Sequence, residues 1–560
     1  MEELKGYYPG LFKLRLKVSP TLENAYHFLI NTTQKEIKDI EFEHNIFVIN
    51  RDEKMEISED RSWVLVYRHA GKYSPVVLKK DGGYGTIFED INFTNRYECL
   101  IRNKVVANEN QARVAKLFLN GLRSLCLKWD TGKGKTLASI FSAECMMRKE
   151  IVSGVVLVAP KSLLTNFRDA IIRYGGDIEK YTIIGYDAFR NRFKLDEDPL
   201  MSKPLEQFMK GKLLIVDEAH NLRTKVSYNI AGMIKSGRKA FVMIKAAKYA
   251  KRVLLLTATP IVNVKRDVCN LVDMMKQTGN ANKSKDISYE EFTHLVAGRF
   301  SVNEQDPDDP NFPKKFIDFI DVDMTDEQRL KYRQIIMSMD KRIDYSPSTF
   351  YTGYRIGSNF IDISYKADII ADSIASKPEG RRKSLIFSVY KDSGIELIKD
   401  ILKSKGMKTK IISGDVDSAE RDRNKRLYDK GRIDALLLTS AGGEGLDFKD
   451  TKNIYIMESG WNFATLRQKI GRGVRYKSHA PGDYVNIYIL KAQSDETSSA
   501  FYSGDRILEE ISYTKEVHVQ EAEDIIRKSC VESSLGKRVM KKTEDIFDKE
   551  TYYRYGGKEY

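Results

Sequence analysis

The stretch Ser124-Leu-Cys-Leu-Lys-Trp-Asp-Thr-Gly-Lys-Gly-Lys-Thr136, read with Leu137-Ala-Ser-Ile-Phe-Ser-Ala-Glu-Cys-Met-Met147 behind it, decides the fold. A short apolar run, a glycine turn and an apolar pattern at helical spacing follow one another. This is the strand, loop and helix order that a phosphate-binding loop needs. Gly132 and Gly134, flanking Lys133, let backbone N–H groups turn inward, and the start of the helix adds partial positive charge. Lys135 is placed to reach the β- and γ-phosphates of ATP, and the Thr136 hydroxyl to hold Mg²⁺. Trp129 stands five residues before Gly134, where the strict pattern has glycine.

Upstream, Gln111-Ala-Arg-Val-Ala-Lys-Leu-Phe118 has helical spacing, and Gln111 lies 24 residues before Lys135. Its amide is read either as the group that recognises adenine or as an ordinary surface glutamine. Downstream, Gly154-Val-Val-Leu-Val-Ala-Pro160 is continuous and apolar, like a parallel strand covered on both faces. Pro160, Lys161 and Ser162 at its end are candidates to meet a nucleic-acid backbone; Ser162 alternatively caps the next helix.

Lys212-Leu-Leu-Ile-Val-Asp-Glu-Ala-His220 is a second apolar strand, delivering Asp217 and Glu218 to its carboxyl end, where open parallel sheets bind ligands. Asp217 is expected to hold Mg²⁺ and Glu218 to polarise the attacking water. Arg252-Val-Leu-Leu-Leu-Thr-Ala-Thr-Pro260 ends in Thr257 and Thr259, which are suited to linking hydrolysis with the nucleic-acid face.

A second α/β rhythm starts at Lys383-Ser-Leu-Ile-Phe-Ser-Val389 and continues through the strands at Lys408-Thr-Lys-Ile-Ile-Ser413, Ala435-Leu-Leu-Leu-Thr439 and Asn453-Ile-Tyr-Ile-Met457. Strands alternating with helices imply parallel sheets with helices on both faces, an α/β protein. Thr439 and Gly442, where the third of these strands runs into a glycine loop, are further candidates for nucleic-acid contact. In Gln468-Lys-Ile-Gly-Arg-Gly-Val-Arg475 a helical register puts Gln468, Arg472 and Arg475 on one face, two of them guanidinium groups suited to act as arginine fingers. Between the two rhythms, Thr325 with Gln328 three residues on opens a capped helix. Trp63-Val-Leu-Val-Tyr67 and Ser74-Pro-Val-Val-Leu-Lys79 mark a small β-containing N-terminal domain.

A chain of 560 residues exceeds one core, so three or more domains are expected at roughly 100–200 residues each. No apolar run approaches the ~18–20 residues of a membrane span, and Met1-Glu-Glu-Leu-Lys-Gly6 is no secretion signal, so a soluble intracellular protein is expected. Five scattered cysteines without a CxxC pair argue for reduced thiols and against a zinc site. A net charge of +14 fits either a polyanionic partner, most simply nucleic acid, or a generally lysine-rich composition. The Lys-, Arg- and Tyr-rich end, residues 537–560, reads either as a nucleic-acid contact or as a solubilising tail.

Together these motifs resemble the superfamily 2 helicase-type ATPases over residues 105–495. The resemblance implies two tandem RecA-like lobes, ATP and Mg²⁺ between them and nucleic acid across the top. Ala159-Pro-Lys-Ser-Leu-Leu-Thr-Asn-Phe167, Leu254-Leu-Leu-Thr-Ala-Thr-Pro-Ile-Val-Asn263 and Thr439-Ser-Ala-Gly-Gly-Glu-Gly-Leu446 are similar to Snf2-like double-strand DNA translocases. Gly460-Trp-Asn-Phe-Ala-Thr-Leu-Arg-Gln-Lys-Ile-Gly-Arg-Gly-Val-Arg-Tyr-Lys-Ser-His479, with Gly298-Arg-Phe-Ser301 and Asp309-Pro-Asn-Phe-Pro313, resembles the poxvirus-type transcription ATPases. These are nucleoside triphosphatase I and the small subunit of the early transcription factor, with relatives in other large DNA viruses and cytoplasmic linear plasmids.

That resemblance implies a DNA-dependent ATPase serving a virus-type RNA polymerase in host cytoplasm or virion. It carries over to Lys135, Thr136, Asp217, Glu218, Gln468, Arg472 and Arg475. The expected domains are an N-terminal accessory domain (1–100), lobe 1 (101–280), linker and insertions (281–375), lobe 2 (376–495) and a charged C-terminal extension (496–560). Two rivals are a nucleotide-gated DNA clamp with little turnover and the motor of a remodelling or restriction complex.

Overall fold

The computed structural model describes residues 107–119, 121–195, 197–229, 234–280, 287–304, 309–340, 355–359, 365–439, 446–494 and 502–534, with eight strands before residue 87. Those strands form two four-stranded sheets. One is an antiparallel meander that includes Trp63–Arg68 and Lys72–Lys79, where alternating apolar residues predict strands. The chain divides into two units, residues 1–304 with 519–541 and residues 305–518 with 542–560.

The first unit is built on six parallel strands. They are β1 (Ser124–Trp129), β2 (Val155–Ala159), β3 (Tyr181–Gly185), β4 (Leu213–Asp217), β5 (Arg252–Thr257) and β6 (Phe300–Asn303), in the order β3-β2-β4-β5-β1-β6. Nearly every residue of β1, β2, β4 and β5 is buried, because helices cover both sheet faces and leave no polar side to these strands. Two apolar clusters, one around Val216 and Leu255 and the other around Ile215 and Leu254, are the cores on the two faces. Because all six strands run the same way, β1, β2, β4 and β5 deliver their carboxyl ends to one edge.

The second unit repeats the plan. Its strands are β7 (Lys314–Asp323), β8 (Ser384–Phe387), β9 (Thr409–Ile412), β10 (Ala435–Leu438), β11 (Asn453–Ile456) and β12 (Tyr484–Gln493), in the order β7-β12-β11-β8-β10-β9, again all parallel. Apolar clusters lie on both faces here too. These are two tandem RecA-like lobes.

Three findings go beyond the sequence reading. Residues 300–303 and 314–323, within the expected linker and insertions, supply an edge strand to each sheet. The residues after 496 are not simply a charged extension: Gly504–Lys528 is one helix whose Asp505 is buried against Lys366, while residues 519–534 pack within the first unit. The cysteine expectation is corrected as well, since Cys126, Cys269 and Cys530 are free but Cys145 is disulfide-bonded. Pairing depends on which thiols the fold brings together, which spacing along the chain does not reveal. The capped helix at Thr325 forms as the sequence predicts: Thr325 N–H donates to Gln328 Oε1 at 3.2 Å and Gln328 N–H to Thr325 Oγ1 at 3.3 Å.

Candidate active site

The phosphate loop leaves β1 and enters the helix Lys135–Arg148. Gly132 and Gly134 have φ of 84° and 82°, the left-handed region that glycine enters without strain. A Cβ at Gly134 would lie 2.3 Å from Gln111 Nε2, so a side chain there would push that amide off the loop. Lys135 Nζ donates to the carbonyls of Trp129 at 2.7 Å and Asp130 at 3.2 Å, folding its ammonium back over the loop.

Gln111 is 5% exposed, which excludes the surface-glutamine alternative. It closes a capping box with Asn108: Asn108 N–H donates to Gln111 Oε1, and Gln111 N–H to Asn108 Oδ1, each at 2.9 Å. Its Nε2 donates to Gly134 O at 3.3 Å, so the amide rests on the phosphate loop itself.

Asp217 ends β4 and is 8% exposed, and the Tyr186 hydroxyl donates to its carbonyl at 2.5 Å. Glu218 follows with φ 49°, ψ 47°, a left-handed conformation that costs a branched-chain-free but non-glycine residue of order 1 kcal/mol or more. Its Oε2 is buried without a hydrogen bond, 3.4 Å from His220 Nδ1. A strained residue presenting an unsatisfied carboxylate oxygen at the same sheet edge as the glycine loop fits a site that receives a nucleotide, a metal ion and water.

His220 links this corner to β5. Its Nδ1 lies 3.1 Å from Thr257 Oγ1, which in turn accepts the Thr259 N–H at 3.1 Å. Burial holds the imidazole below its usual range, outweighing the pull of Glu218, so the ring is neutral at pH 7. Thr257 is 0% exposed and Thr259 7%, and the Thr257 hydroxyl bridges the Asp217–His220 segment to the following loop inside the protein. At the end of β2, Pro160 is half-buried and Lys161 exposed, and Ser162 Oγ is buried with no partner, so Ser162 does not cap the next helix.

In the second unit the helix Phe463–Gly473 is started by Asn462, whose Oδ1 accepts the Thr465 N–H at 2.9 Å. Gly473 lets this helix press on the sheet, since a Cβ there would sit 3.0 Å from Ile454 and 3.1 Å from Leu385. Gln468 and Arg472 lie on the helix, but it ends at Gly473, so the single face expected for Gln468, Arg472 and Arg475 does not extend to Arg475. The two arginines meet instead on Asp447: Arg475 pairs with it directly, Arg472 lies 4.0 Å away, and Arg472 also donates to Leu446 O at 3.4 Å. Thr439 closes β10, its N–H donating to Ile412 O at 3.2 Å; Gly442 lies outside the described residues.

Sequence reasoning passed over Asn108, Tyr186, His220 and Asp447. The Asn-x-x-Gln spacing before an apolar helix is a signal for the first. The others are recognisable only from their spatial neighbours.

Residues 108–267 match the DEAD/DEAH box helicase family, and residues 365–477 match the helicase conserved C-terminal domain. A protein of Acanthamoeba polyphaga mimivirus described as a putative ATP-dependent RNA helicase is 29% identical, covering 65% of this chain and 83% of that protein. Nucleoside triphosphatase I of Choristoneura fumiferana entomopoxvirus is 24% identical, covering 77% of this chain and 80% of that protein. The same protein of Amsacta moorei entomopoxvirus is 23% identical, over 78% and 80%.

Proposed function

We propose, from the premise that this chain is a superfamily 2 helicase-type ATP hydrolase related to nucleoside triphosphatase I, that its hydrolysis is driven by DNA and serves virus-type transcription, in initiation or termination. The observation that carries this reading is the shared sheet edge: Lys135, Thr136, Asp217 and Glu218 all stand at carboxyl ends of parallel strands, beside a loop with two left-handed glycines. Gly132, Lys133 and Gly134 wrap the phosphates, and Gln111 braces that loop. Thr136 and Asp217 would hold a magnesium ion, which would neutralise charge on the phosphate oxygens. Lys135 leaves the Trp129 and Asp130 carbonyls for the phosphates, and Glu218 orients water for attack on the γ-phosphorus. Arg472 and Arg475 neutralise charge as the bond to ADP breaks, and Gln468 helps align them.

Pro160, Lys161, Ser162, Thr439 and Gly442 bear on the polymer, with Thr257 and Thr259 transmitting behind them. The basic balance of the chain suits that partner. The partner protein is a virus-type RNA polymerase or transcription-factor subunit, and the viral sources of the relatives support action in host cytoplasm or virion. A second reading, an RNA track, is favoured by the description of the mimivirus relative.

The test is phosphate release from ATP and Mg²⁺ without polymer, and with single-stranded DNA, double-stranded DNA or RNA, beside Lys135→Ala. Strong stimulation by one DNA form, lost in the variant, is the expected result. Stimulation by RNA alone replaces the track. Tight DNA binding without turnover on any polymer overturns the motor in favour of a gated clamp.

A further inference from the structure

Trp129, the residue that departs from the usual phosphate-loop pattern, is 1% exposed and has both ends engaged. Its carbonyl receives Lys135 Nζ at 2.7 Å. Its indole N–H donates to Ser301 Oγ at 2.9 Å, on the neighbouring strand β6. Ser301 Oγ donates in turn to Glu532 Oε1 at 2.5 Å, and Glu532 Oε2 accepts the Val302 N–H at 2.9 Å. Glu532 is 7% exposed and sits in the short helix Val531–Ser534, near the far end of the chain.

The same end of the chain holds β1 and β6 a second time. Lys128, adjacent to Trp129, pairs with Glu304 just beyond β6, and its Nζ lies 3.4 Å from Glu523 Oε2. Arg527 Nε donates to Glu304 Oε2 at 2.9 Å. Further, Asp130 N–H, the first donor of the phosphate loop, is bonded to Asn303 O of β6 at 2.9 Å. Arg113, on the helix that carries Gln111, has its guanidinium 4.0 Å from Glu532 Oε1. One carboxylate therefore touches, directly or through one residue, the edge strand, the residue under the catalytic lysine and the helix that braces Gly134.

We propose that Glu532, acting through Ser301 and Trp129, is a positioning residue for the phosphate loop, so that residues 519–534 belong to the ATP-binding machinery. The proposal rests on the phosphate loop being where ATP binds. Its logic is one of populations. If losing the indole bond leaves one loop in ten in the binding-competent position, apparent affinity falls about tenfold, because only that fraction binds.

The test uses the full chain with Trp129→Phe, Ser301→Ala, Glu532→Gln and the double variant Trp129→Phe with Ser301→Ala. Binding of a fluorescent ATP analogue with Mg²⁺, KM and kcat for ATP, and thermal melting are measured for each. The expected result is about tenfold weaker nucleotide binding and a matching rise in KM in each single variant. The double variant is expected to be no worse than the weaker-binding single, since both remove one chain of contacts. Melting that falls while binding and KM hold at wild-type values assigns these residues to structure alone and overturns the proposal, as does full additivity in the double variant. Should Trp129→Phe misfold, Glu532→Gln, which keeps size and shape, decides by the same criteria. The binding readout separates this from failure of the proposed function: wild-type protein that binds the analogue but shows no polymer-stimulated turnover counts against the DNA-driven motor and leaves this comparison intact.

Discussion

Lys128 and Lys135 stand seven residues apart and end in opposite surroundings. Lys128 is 1% exposed, with its ammonium against the carboxylates of Glu304 and Glu523. Burial alone would lower its pKa, but Glu523 and Glu304 outweigh burial and hold the group above its ordinary range. Lys135 instead donates to two neutral carbonyls. A buried lysine matched to carboxylates is costly to disturb, because removing one partner strands the others' charge. A lysine resting on carbonyls loses little by moving to a phosphate, which offers a stronger, charge-assisted hydrogen bond. The contrast separates the cation that is buried among carboxylates from the one proposed to meet the nucleotide. Arg475 falls between them, since it is paired with Asp447, whose side chain is 56% exposed. Such a pair is worth little to break.

The comparison is tested hardest at Arg475. Arg475→Ala is expected to lower ATP turnover by ~10³–10⁵ while nucleotide binding persists, measured by steady-state phosphate release beside equilibrium binding. Wild-type turnover would show that the arginine is merely the partner of Asp447.

Next comes Lys128→Met, expected to cost about 3–5 kcal/mol in the unfolding of the first unit, because Glu304 and Glu523 lose a buried partner. Denaturant titration gives the figure. Lys135→Ala is its mirror image: turnover falls by ~10²–10³, and unfolding shifts by no more than about 0.5 kcal/mol. If Lys135→Ala unfolds the protein and Lys128→Met leaves it intact, the division into architecture and chemistry fails.

The smallest effect is the pH response of His220. Its folded pKa is depressed by burial, so the neutral ring stabilises the fold above the unfolded value of about 6.5. That stability is lost as pH falls below this value toward the folded pKa, because the unfolded chain takes up a proton that the buried ring refuses. His220→Gln is expected to show a smaller drop in unfolding midpoint than wild type between pH 7.5 and 5.5. An equal drop would place the acid sensitivity elsewhere.

The strands read from continuous apolar runs, β1, β2, β4, β5, β8, β10 and β11, stand where the sequence puts them, because burial on both faces leaves an unbroken apolar signature. β7 is an edge strand and β12 alternates buried Val485, Ile487 and Ile489 with less buried neighbours. Their mixed composition carries no such signature. The one-face reading of Arg475 failed for a local reason: the helix stops at Gly473, and its C-cap Val474 is extended. A spacing argument assumes that the helix continues.

The sequence by itself determined the phosphate loop, the Asp217 and Glu218 pair, the α/β class and the presence of two lobes. Each of these is a local property: a loop that cradles phosphate is built from consecutive backbone amides, and a strand that ends in carboxylates carries them in one contiguous run. Only the tertiary structure decided what Trp129 contacts, where residues 519–534 belong and what Thr257 binds. The Trp129–Ser301 and Ser301–Glu532 bonds span 172 and 231 residues of chain. No periodicity records a contact at that distance, because it is the packing of strands and helices against a common core, and not the order of neighbours along the backbone, that brings such groups within 3 Å.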